Sequence, residues 1–598
     1  MIDYCKVIID SPLPQLGREF DYEVPAGLEV EIGQPVLVPF GRQSSLKKAV
    51  VSEVLASSEH ATAEIASVEG PPILSRPFLD FITSVSKRQA ITAGEMLRLS
   101  TTTRPKRKTD DYETPQRPGQ EQLEALGGEL MLSKHLVQSV PAKQHLVAGA
   151  LHPQWAISAM QSAISGTGSA IINIADFRQL ARFRKLAASL GIEDQLLWAE
   201  DHRTPAKRYF LQQKLLSNEA ILVGSRVVLM MDVLNLERLI IVSDLDPSHE
   251  SESAPYLSTR ELAYLRAETS SAFVHTISHL PSAESLRLMQ IGHVDSNLSG
   301  DVPRISFGLE SSISTQKLIR QSLEGGSVLV LTSFAGESAS VVCSNCRYPG
   351  RCNSCGGSLF MPRAETYKCR TCSQLSSPKC QHCGSAKFTR GKKGVTRTVA
   401  DFGRMFPGTR IIESSQQIRV EQIKGRVLVV ATPGAIPHTD DGYSLVVVDQ
   451  PQSFLSRESL RAVEHSLRNW LDAASYLATD GRLHFSDYEG EVVKQLSIGQ
   501  IAKLVDQESQ QRKQLGLSPW KRLGIVQADH QRLSQVADSI SGVADIISTE
   551  PNLVFSYLYK NGAIVAEILM KEQLMTPPLE GKRRKRGLKV VMDGQGLI

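Results

Sequence analysis

The sequence predicts a multidomain α/β protein, with a β-rich domain at its N-terminal end and an α+β domain at its C-terminal end. Short β-type runs alternate with helical patterns through the middle of the chain, which is typical of parallel sheets covered by helices. A dense block of cysteines interrupts the second half of that alternation. The length of 598 residues also favours about four domains.

The first domain is predicted over residues 1–103. Its β-type runs are separated by proline and glycine, and they read "YCKVIIDSPL", "REFDYEVP", "QPVLVPFG" and "LKKAVVSEVL". A charged, proline-containing segment without an apolar period follows, beginning "RPKRKTDDYETPQRPGQEQ". We interpret residues 104–140 as a basic linker.

Two α/β units are predicted next, over residues 141–300 and 301–485. The strands of the first unit are expected in "SAIINIAD", "EAILVGS", "RLIIVSDLD" and "SAFVHTIS". Those of the second are expected in "SVLVLTSF", "TRIIESS", "RVLVVAT" and "YSLVVVDQ". Residues 486–598 predict a helical stretch and then a mixed domain, with strands in "VFSYLY" and "AIVAEILM".

The composition and charge of the chain limit the classes of protein to which it can belong. A formal charge of +4 is too small to require a nucleic-acid partner, so any basic surface must be local. No stretch approaches the roughly 20 apolar residues that a membrane span needs, and the first residues lack the pattern of a signal peptide. We expect a soluble, cytoplasmic protein without a membrane partner.

Eight of the nine cysteines fall between residues 343 and 383, in four Cys-x-x-Cys pairs. Two such pairs give the four-thiolate shell that structural zinc prefers, so four pairs predict two zinc ions. The pairs can combine in three ways, and the short link between Cys346 and Cys352 favours a nested arrangement. Site 1 is then Cys343, Cys346, Cys380 and Cys383, and site 2 is Cys352, Cys355, Cys369 and Cys372. Disulfides are the alternative, which an intracellular location disfavours; four thiolates also leave no open position for catalysis.

This organisation resembles the primosomal replication-restart PriA family of bacterial helicases. The eight-cysteine spacing carries the resemblance, together with "FDYEVP", "GQPVLVPFG", "GVTRTVADFGRMFPGTRII", "LSPWKRLGIV" and "LKVVMD". The resemblance implies two RecA-like helicase lobes, with the zinc module inserted in the second lobe at 343–383. It also implies that the first domain holds the 3′ end of a nascent DNA strand. The family's winged-helix domain is expected to be absent or shortened within 104–140.

The family's nucleotide-hydrolysis motifs are degenerate in this sequence. Counted from Gly149, the second glycine, the lysine and the hydroxyl of a phosphate-binding loop are replaced by Gln154, Trp155 and Ala156. In "SDLDPSHE" the acids Asp244 and Asp246 remain, but they are no longer adjacent, and they are expected to cap a turn. "NWLDAASYLATDG" has no arginine where the family places its arginine fingers. We therefore predict a degenerate member that does not hydrolyse ATP, without ATP or magnesium as working cofactors.

The resemblance also implies candidate DNA contacts. On the first domain, Phe20 and Tyr22 are candidates to stack on a terminal base, Asp21 to accept from a sugar hydroxyl, and Gly41 to allow close backbone approach. Arg226 in "GSRVVLM" is a candidate phosphate contact, although the same stretch also fits a plain turn.

The predicted function is a zinc-containing adaptor of replication restart that binds branched and forked DNA with 3′ ends. The implied protein partners are single-strand DNA-binding protein and the replicative helicase or its loader, at the bacterial nucleoid. Two alternatives stay open: an ATP-dependent 3′-to-5′ helicase with an atypical nucleotide site, and a zinc scaffold that binds replication proteins but little DNA.

Overall fold

Both predicted parallel sheets are present in the structure, which is a computed structural model. The chain divides into two compact units, one of residues 1–140, 155–299 and 505–598 and the other of residues 141–154 and 300–504. The structure describes residues 4–41, 45–102, 105, 115–130, 134–251, 253–299, 301–307, 314–333, 341–346, 348, 350–353, 359–363, 366–369, 374–377, 379–390, 395–455, 459–486, 490–575 and 588–593.

The N-terminal domain is a five-stranded antiparallel sheet followed by two helices. Its strands are arranged in the order β2-β1-β4-β3-β5. Alternate residues of β1 to β4 enclose a small apolar core, as expected for a half-buried sheet. The elements are β1 (Tyr4–Ile9), β2 (Glu19–Glu23), β3 (Pro35–Phe40), β4 (Ser45–Leu55), β5 (Ser67–Val68), α1 (Arg76–Gln89) and α2 (Ala93–Ser100).

The first α/β part contains a seven-stranded sheet in the order β10-β11-β9-β12-β13-β6-β14, with all neighbours parallel. Its elements are α3 (Gln120–Ala125), β6 (His135–Ser139), α4 (Gln154–Ile164), β9 (Ser169–Ile174), α5 (Phe177–Ser189), β10 (Leu197–Trp198), α6 (Pro205–Ser217), β11 (Ile221–Gly224), β12 (Leu236–Val242), α7 (Thr259–Ser270), β13 (Phe273–Ser278), α8 (Ala283–Gln290) and β14 (Asp295–Leu298). Between β6 and α4 the chain forms a separate two-stranded sheet of β7 (Gln144–Val147) and β8 (Ala150–Pro153), which belongs to the second unit.

Burial explains the continuous apolar runs of this sheet. Every residue of β9 is buried, because helices cover both faces of a parallel sheet. The start of α7 is set by a capping box, in which the Ser258 hydroxyl accepts from the Glu261 N–H and the Glu261 carboxylate accepts from the Ser258 N–H. This cap positions Arg260 and Arg266, which α7 buries.

The second unit contains a six-stranded sheet in the order β15-β25-β24-β16-β23-β22, again with all neighbours parallel. The cysteine-rich segment lies between β16 and α10 as two small antiparallel sheets. The elements are β15 (Ile305–Phe307), α9 (Thr315–Gly325), β16 (Ser327–Leu331), β17 (Val341–Cys343), β18 (Leu359–Arg363), β19 (Thr366–Cys369), β20 (Leu375–Ser376), β21 (Phe388–Arg390), α10 (Val395–Met405), β22 (Ile411–Ser414), β23 (Leu428–Ala431), β24 (Tyr443–Val448), α11 (Gln452–Leu455), α12 (Ala462–Ala474) and β25 (Leu477–Phe485).

The C-terminal part begins with two helices and ends in a four-stranded antiparallel sheet in the order β27-β28-β26-β29. Two further helices belong to it, so this part has the mixed composition that its sequence predicts. The elements are α13 (Glu491–Ser497), α14 (Ile501–Gln514), β26 (Arg522–Gln527), α15 (His530–Ile540), β27 (Asp545–Ser548), β28 (Leu553–Tyr557), α16 (Gly562–Met575) and β29 (Lys589–Val591).

Two element predictions were wrong. "AIVAEILM" belongs to α16 rather than to a strand, and its buried Val565, Ala566 and Leu569 follow a helical period. An apolar run of this length does not distinguish a strand from a buried helix segment. The linker predicted over 104–140 contains β6, which is part of the seven-stranded sheet and pairs with β13 and β14.

No helix in the described ranges combines the length and the apolar character that crossing a bilayer requires.

Candidate functional site

An aromatic pair lies where the N-terminal sheet curls. Phe20 on β2 and Phe40 at the end of β3 meet edge to face, with ring centroids 5.1 Å apart. Their strands are not neighbours in the sheet, so the contact requires the sheet to bend round. The Arg18 guanidinium lies 5.0 Å from the centroid of the Phe20 ring, which leaves a half-buried aromatic surface beside a positive charge.

Tyr22 supports this curl from inside. Its ring is only 4% exposed, and its hydroxyl donates to the Pro39 carbonyl at 2.9 Å. Burial raises the pKa of the Tyr22 hydroxyl. The ring proposed from the sequence to stack on a base therefore lies in the core, where it fastens β2 to β3.

Asp21 and Gly41 have different surroundings from the aromatic pair. Successive side chains of a strand alternate between faces, so Asp21 lies on the opposite face of β2 from Phe20. One oxygen of its half-buried carboxylate accepts from the Ser58 hydroxyl at 2.5 Å. Gly41 follows Phe40 with φ of +79°, and the space that a Cβ would occupy is open. Its exposed backbone is accessible to a ligand.

Arg226 is directed into the first sheet unit rather than out to solvent. It begins a short 3₁₀ turn, and its Nη1 donates to the His249 carbonyl at 2.8 Å. Burial lowers the pKa of Arg226 to about 10, against the opposing effect of Glu250 and Glu261. This environment agrees better with the plain-turn interpretation than with an exposed phosphate contact.

A β-hairpin occupies the position where the family's phosphate-binding loop is expected. β7 and β8 pair antiparallel through a two-residue turn of Ala148 and Gly149, with φ of 48° and 82°. Positive φ at both turn residues is typical of a type I′ turn, which matches the twist of its strands. Gly149 is therefore exposed at a hairpin tip, and strand β8 separates it from helix α4. Counting a phosphate-binding loop from Gly149 does not describe this geometry.

The first residues of α4 present few groups that could bind a phosphate. Pro153 has no N–H, and the Gln154 N–H donates to the Lys143 carbonyl at 3.0 Å. Trp155 is 2% exposed and Ala156 is fully buried, so both positions serve the core. A phosphate-binding loop needs several free N–H groups and a lysine, and the side chains at these positions supply no cation.

Asp244, at the carboxyl end of β12, is fully engaged by the protein. Its carboxylate accepts from Arg260 Nη1 at 2.7 Å and from the Ser285 hydroxyl at 2.6 Å. Its side chain is 0% exposed. Burial opposes ionisation, but Arg260 and the hydroxyls of Ser282 and Ser285 outweigh it and lower the pKa of Asp244.

Asp246 caps the next turn. One of its oxygens accepts from the Ser248 N–H at 2.9 Å, at the start of a 3₁₀ turn over Pro247–His249. Asp246 is 4% exposed. This agrees with the capping role that the sequence indicates for Asp246, whereas Asp244 pairs with Arg260 on another element.

The segment "NWLDAASYLATDG", where the resemblance places the arginine fingers, forms the end of α12 and the start of β25. Trp470 within it is fully buried and packs edge to face on Phe485, with centroids 4.9 Å apart. This stretch builds the core of the second sheet.

Four cysteines converge as predicted for site 1. Every pair of sulfur atoms among Cys343, Cys346, Cys380 and Cys383 lies within 4.8 Å. Two of these separations are 3.5 Å and 3.4 Å, whereas an ideal tetrahedral zinc site has sulfurs about 3.8 Å apart. Hydrogen bonds from the Cys346 and Asn345 N–H groups lower the pKa of Cys343 to about 6, whereas burial and the neighbouring thiols raise the pKa of Cys346 to about 12. The donor set fits a structural zinc ion.

The second predicted site is described only in part. Cys352 and Cys369 are 2% and 1% exposed, and the Cys369 N–H donates to the Gln374 carbonyl at 2.9 Å. Cys355 and Cys372 lie outside the described residues.

Cysteines make up half of the buried cluster among the described residues of the module. That cluster contains eight residues, and four of them are Cys343, Cys352, Cys369 and Cys380. The others are Val341, Leu359, Met361 and Phe388. A cluster this small gives little hydrophobic stabilisation, so metal binding is the expected source of its fold.

Sequence reasoning missed three residues at these sites. Phe40 and Arg18 stood within quoted motifs, but only the curl of the sheet brings them to Phe20. Arg260 had no sequence signal, because its partner Asp244 lies 16 residues away on another element.

Replacing Cys380 by serine is expected to remove one zinc ion per chain, because serine does not supply a thiolate. Native mass spectrometry measures the metal content, with two ions expected in the unchanged protein. Cys5→Ala is the control, since Cys5 is buried in the N-terminal core and should leave both ions bound. An unchanged zinc count in Cys380→Ser would contradict the site.

Replacing Asp244 by asparagine is expected to lower the free energy of unfolding by about 3 kcal/mol, because it removes the charge that pairs with buried Arg260. Urea unfolding followed by tryptophan fluorescence measures the effect. Asp201→Asn is the matched control: Asp201 pairs with Arg184 but is 46% exposed, and its loss should cost at most about 1 kcal/mol. Equal effects of the two changes would argue against a structural role for Asp244.

Two solved structures match much of the chain with low TM-scores. A structure of S. cerevisiae Dbp5 bound to RNA and ADP BeF3 is 8% identical and covers 65% of this chain and 86% of that one, with a TM-score of 0.31. A second Dbp5 structure, with ADP and partner proteins, is 10% identical, covers 74% of this chain and 99% of that one, and has a TM-score of 0.29. Likeness at this level carries no argument, so the fold rests on the strand order described above.

Sequence comparisons show what the chain is similar to. Residues 6–101 match the family model of the PriA 3′ DNA-binding domain, in agreement with the DNA-binding domain predicted at the N-terminal end. "Probable replication restart protein PriA" of Mycobacterium tuberculosis is 28% identical over 509 residues, covering 78% of this chain and 77% of the relative. "Replication restart protein PriA" of Haemophilus influenzae is 22% identical over 389 residues, covering 58% and 52%. The chain is thus similar to replication restart proteins PriA over about three quarters of its length, and its N-terminal domain matches their 3′ DNA-binding domain.

Proposed function

We propose that this protein acts in the restart of DNA replication by binding forked DNA that carries a 3′ end, without hydrolysing ATP. The observation that carries the proposal is the match of residues 6–101 to the 3′ DNA-binding domain model. The names of the curated relatives support the restart role.

Two faces of β2 are proposed to share the recognition of the DNA end. The half-buried Phe20 ring, beside the positive charge of Arg18, is suited to a terminal base. The Asp21 carboxylate uses one oxygen for Ser58, and the other is proposed to accept from the 3′ hydroxyl of the sugar. Exposed Lys47 and Lys48, at the start of β4, add positive charge for phosphates without reading sequence.

Three structural features support the absence of ATP hydrolysis. A hairpin takes the place of a phosphate-binding loop, the start of α4 carries buried Trp155 and Ala156, and Asp244 is held by Arg260. Phosphoryl transfer needs positive groups and a metal-binding carboxylate directed at the phosphates. At these positions the side chains are used for packing.

The cysteine module is proposed to bind two zinc ions and to act as a contact surface. Site 1 has converging sulfurs, and the cysteine spacing is the basis for site 2. Single-strand DNA-binding protein and the replicative helicase or its loader remain the proposed partners, in the bacterial cytoplasm at the nucleoid.

The test of DNA-end recognition compares forks with a free and a blocked 3′ hydroxyl by fluorescence anisotropy. Phe20→Ala should weaken binding to both forks about tenfold, because a stacked base contributes about 1 to 3 kcal/mol. Asp21→Asn should remove mainly the preference for the free hydroxyl. Tyr443→Phe is the control, since it removes a buried hydroxyl that donates to the Pro437 carbonyl in the second unit, outside residues 6–101, and should leave affinity unchanged.

Equal binding of unchanged protein to free and blocked ends would refute the recognition of the 3′ end. Circular dichroism of each variant distinguishes loss of a contact from loss of fold.

Purified protein is expected to show no ATP turnover above the buffer level with a forked DNA, because the residues at its nucleotide position provide no charge for the transition state. Phosphate release is measured across the gel-filtration peak, with an active helicase as positive control. Turnover that follows the protein through the peak would restore the helicase alternative.

A further inference from the structure

Exposed apolar side chains are concentrated in the C-terminal part of the chain. Within the described ranges nineteen large apolar side chains are exposed, and seven of them lie between residues 546 and 575. Three of these seven, Ile564, Leu574 and Met575, belong to helix α16. Single exposed apolar residues are normal on a protein surface, whereas several on one element indicate a contact surface.

Helix α16 carries apolar residues on two opposite faces. Its inner face packs into the core of the C-terminal domain through Val565, Ala566 and Leu569. At about 100° per residue, the exposed positions fall together on the other side of the helix. This outer face consists of Ala563, Ile564, Glu567, Lys571, Leu574 and Met575. A surface helix normally has a polar outer face, so the apolar ends of this one indicate a partner.

An ion pair lies in the middle of the outer face. Lys571 Nζ is 2.7 Å from Glu567 Oε1, and the two side chains are 62% and 68% exposed. The acid and the base cancel, so the outer face has no net charge. DNA binding depends on an excess of positive charge, and helices that lie on membranes are rich in lysine and arginine. The outer face therefore favours a protein surface that also presents one acid and one base.

The residues of the outer face are arranged symmetrically about Leu569. Glu567 and Lys571 lie two positions from this centre, one on each side, and Ile564 and Leu574 lie five positions from it. When two copies of such a helix pack antiparallel, residues at equal distances from the centre come opposite each other. Ile564 of one copy then faces Leu574 of the other, and Glu567 of one faces Lys571 of the other. A two-fold interface requires this self-complementarity, because the same patch serves both copies.

We propose that the outer face of α16 is a self-association surface that binds the same face of a second copy of this chain, with the two helices antiparallel. Two ion pairs between the copies then lie at the centre of the contact, and the apolar residues at both ends are removed from water. The contact is smaller than a standard protein interface, so it is reversible and forms at high local concentration. It is independent of the DNA-end recognition proposed above.

Sedimentation velocity of the purified full-length protein measures this association. We expect a monomer at about 1 μM and a dimer fraction that grows up to about 200 μM, with a dissociation constant of about 100 μM, because the contact is small. Absence of dimer over this range would overturn the proposal.

Charge reversal tests the location of the contact. Glu567→Lys leaves only positive charge on the outer face and should weaken dimerisation at least about tenfold, because like charges would face each other. Lys571→Glu should have the same effect through negative charge. Asp80→Lys is the matched control, because Asp80 is the acid of another exposed ion pair, with Arg76 on α1, and it should leave dimerisation unchanged. An unchanged dimer in Glu567→Lys would overturn the location.

Mixing the two single variants tests the antiparallel pairing. The outer face of Glu567→Lys is complementary to that of Lys571→Glu, so an equimolar mixture should dimerise about as well as the unchanged protein. The double variant Glu567→Lys/Lys571→Glu should also regain dimerisation. Such rescue distinguishes the loss of a contact from the loss of the fold. A mixture that stays monomeric would overturn the antiparallel pairing.

Discussion

A parallel sheet that is buried on both faces leaves room for functional polar side chains only at the ends of its strands. This constraint applies to both α/β units. β9, β16 and β23 are buried along their whole lengths, so none of their side chains reaches solvent. Side chains that bind ligands or react must therefore lie in the loops after the strands, at the carboxyl end of the sheet. In the first unit this position belongs to Asp244 and Asp246, after β12.

At this end of the sheet, both carboxylates are bonded by other groups of the protein. Asp244 is paired with Arg260, which the capping box of α7 holds in place, and Asp246 binds the backbone of its own turn. A carboxylate so engaged has little capacity for a metal ion, because its lone pairs and its charge are already matched. In the second unit, the backbone groups of the β7–β8 hairpin pair with each other rather than with a ligand.

Much of this architecture was predictable because it depends on local patterns. Continuous apolar runs marked the parallel strands, and the Cys-x-x-Cys spacing predicted the four cysteines that converge at site 1. Features set by distant residues were not predictable. The core position of Tyr22 depends on Pro39 across the curled sheet, and the engagement of Asp244 depends on α7. The hairpin was missed because "HLVAGALHPQW" contains one glycine and no usual turn pair, although Ala148 also adopts a positive φ.

The proposed DNA-binding role does not depend on the altered nucleotide position. The contacts that shape the N-terminal domain, between Phe20 and Phe40 and between Tyr22 and Pro39, lie within residues 6–101. The residues that disfavour hydrolysis, Trp155, Ala156 and Asp244, contribute to a different sheet and its helices. The chain can therefore match the 3′ DNA-binding domain model while the positions counted from Gly149 hold buried core residues.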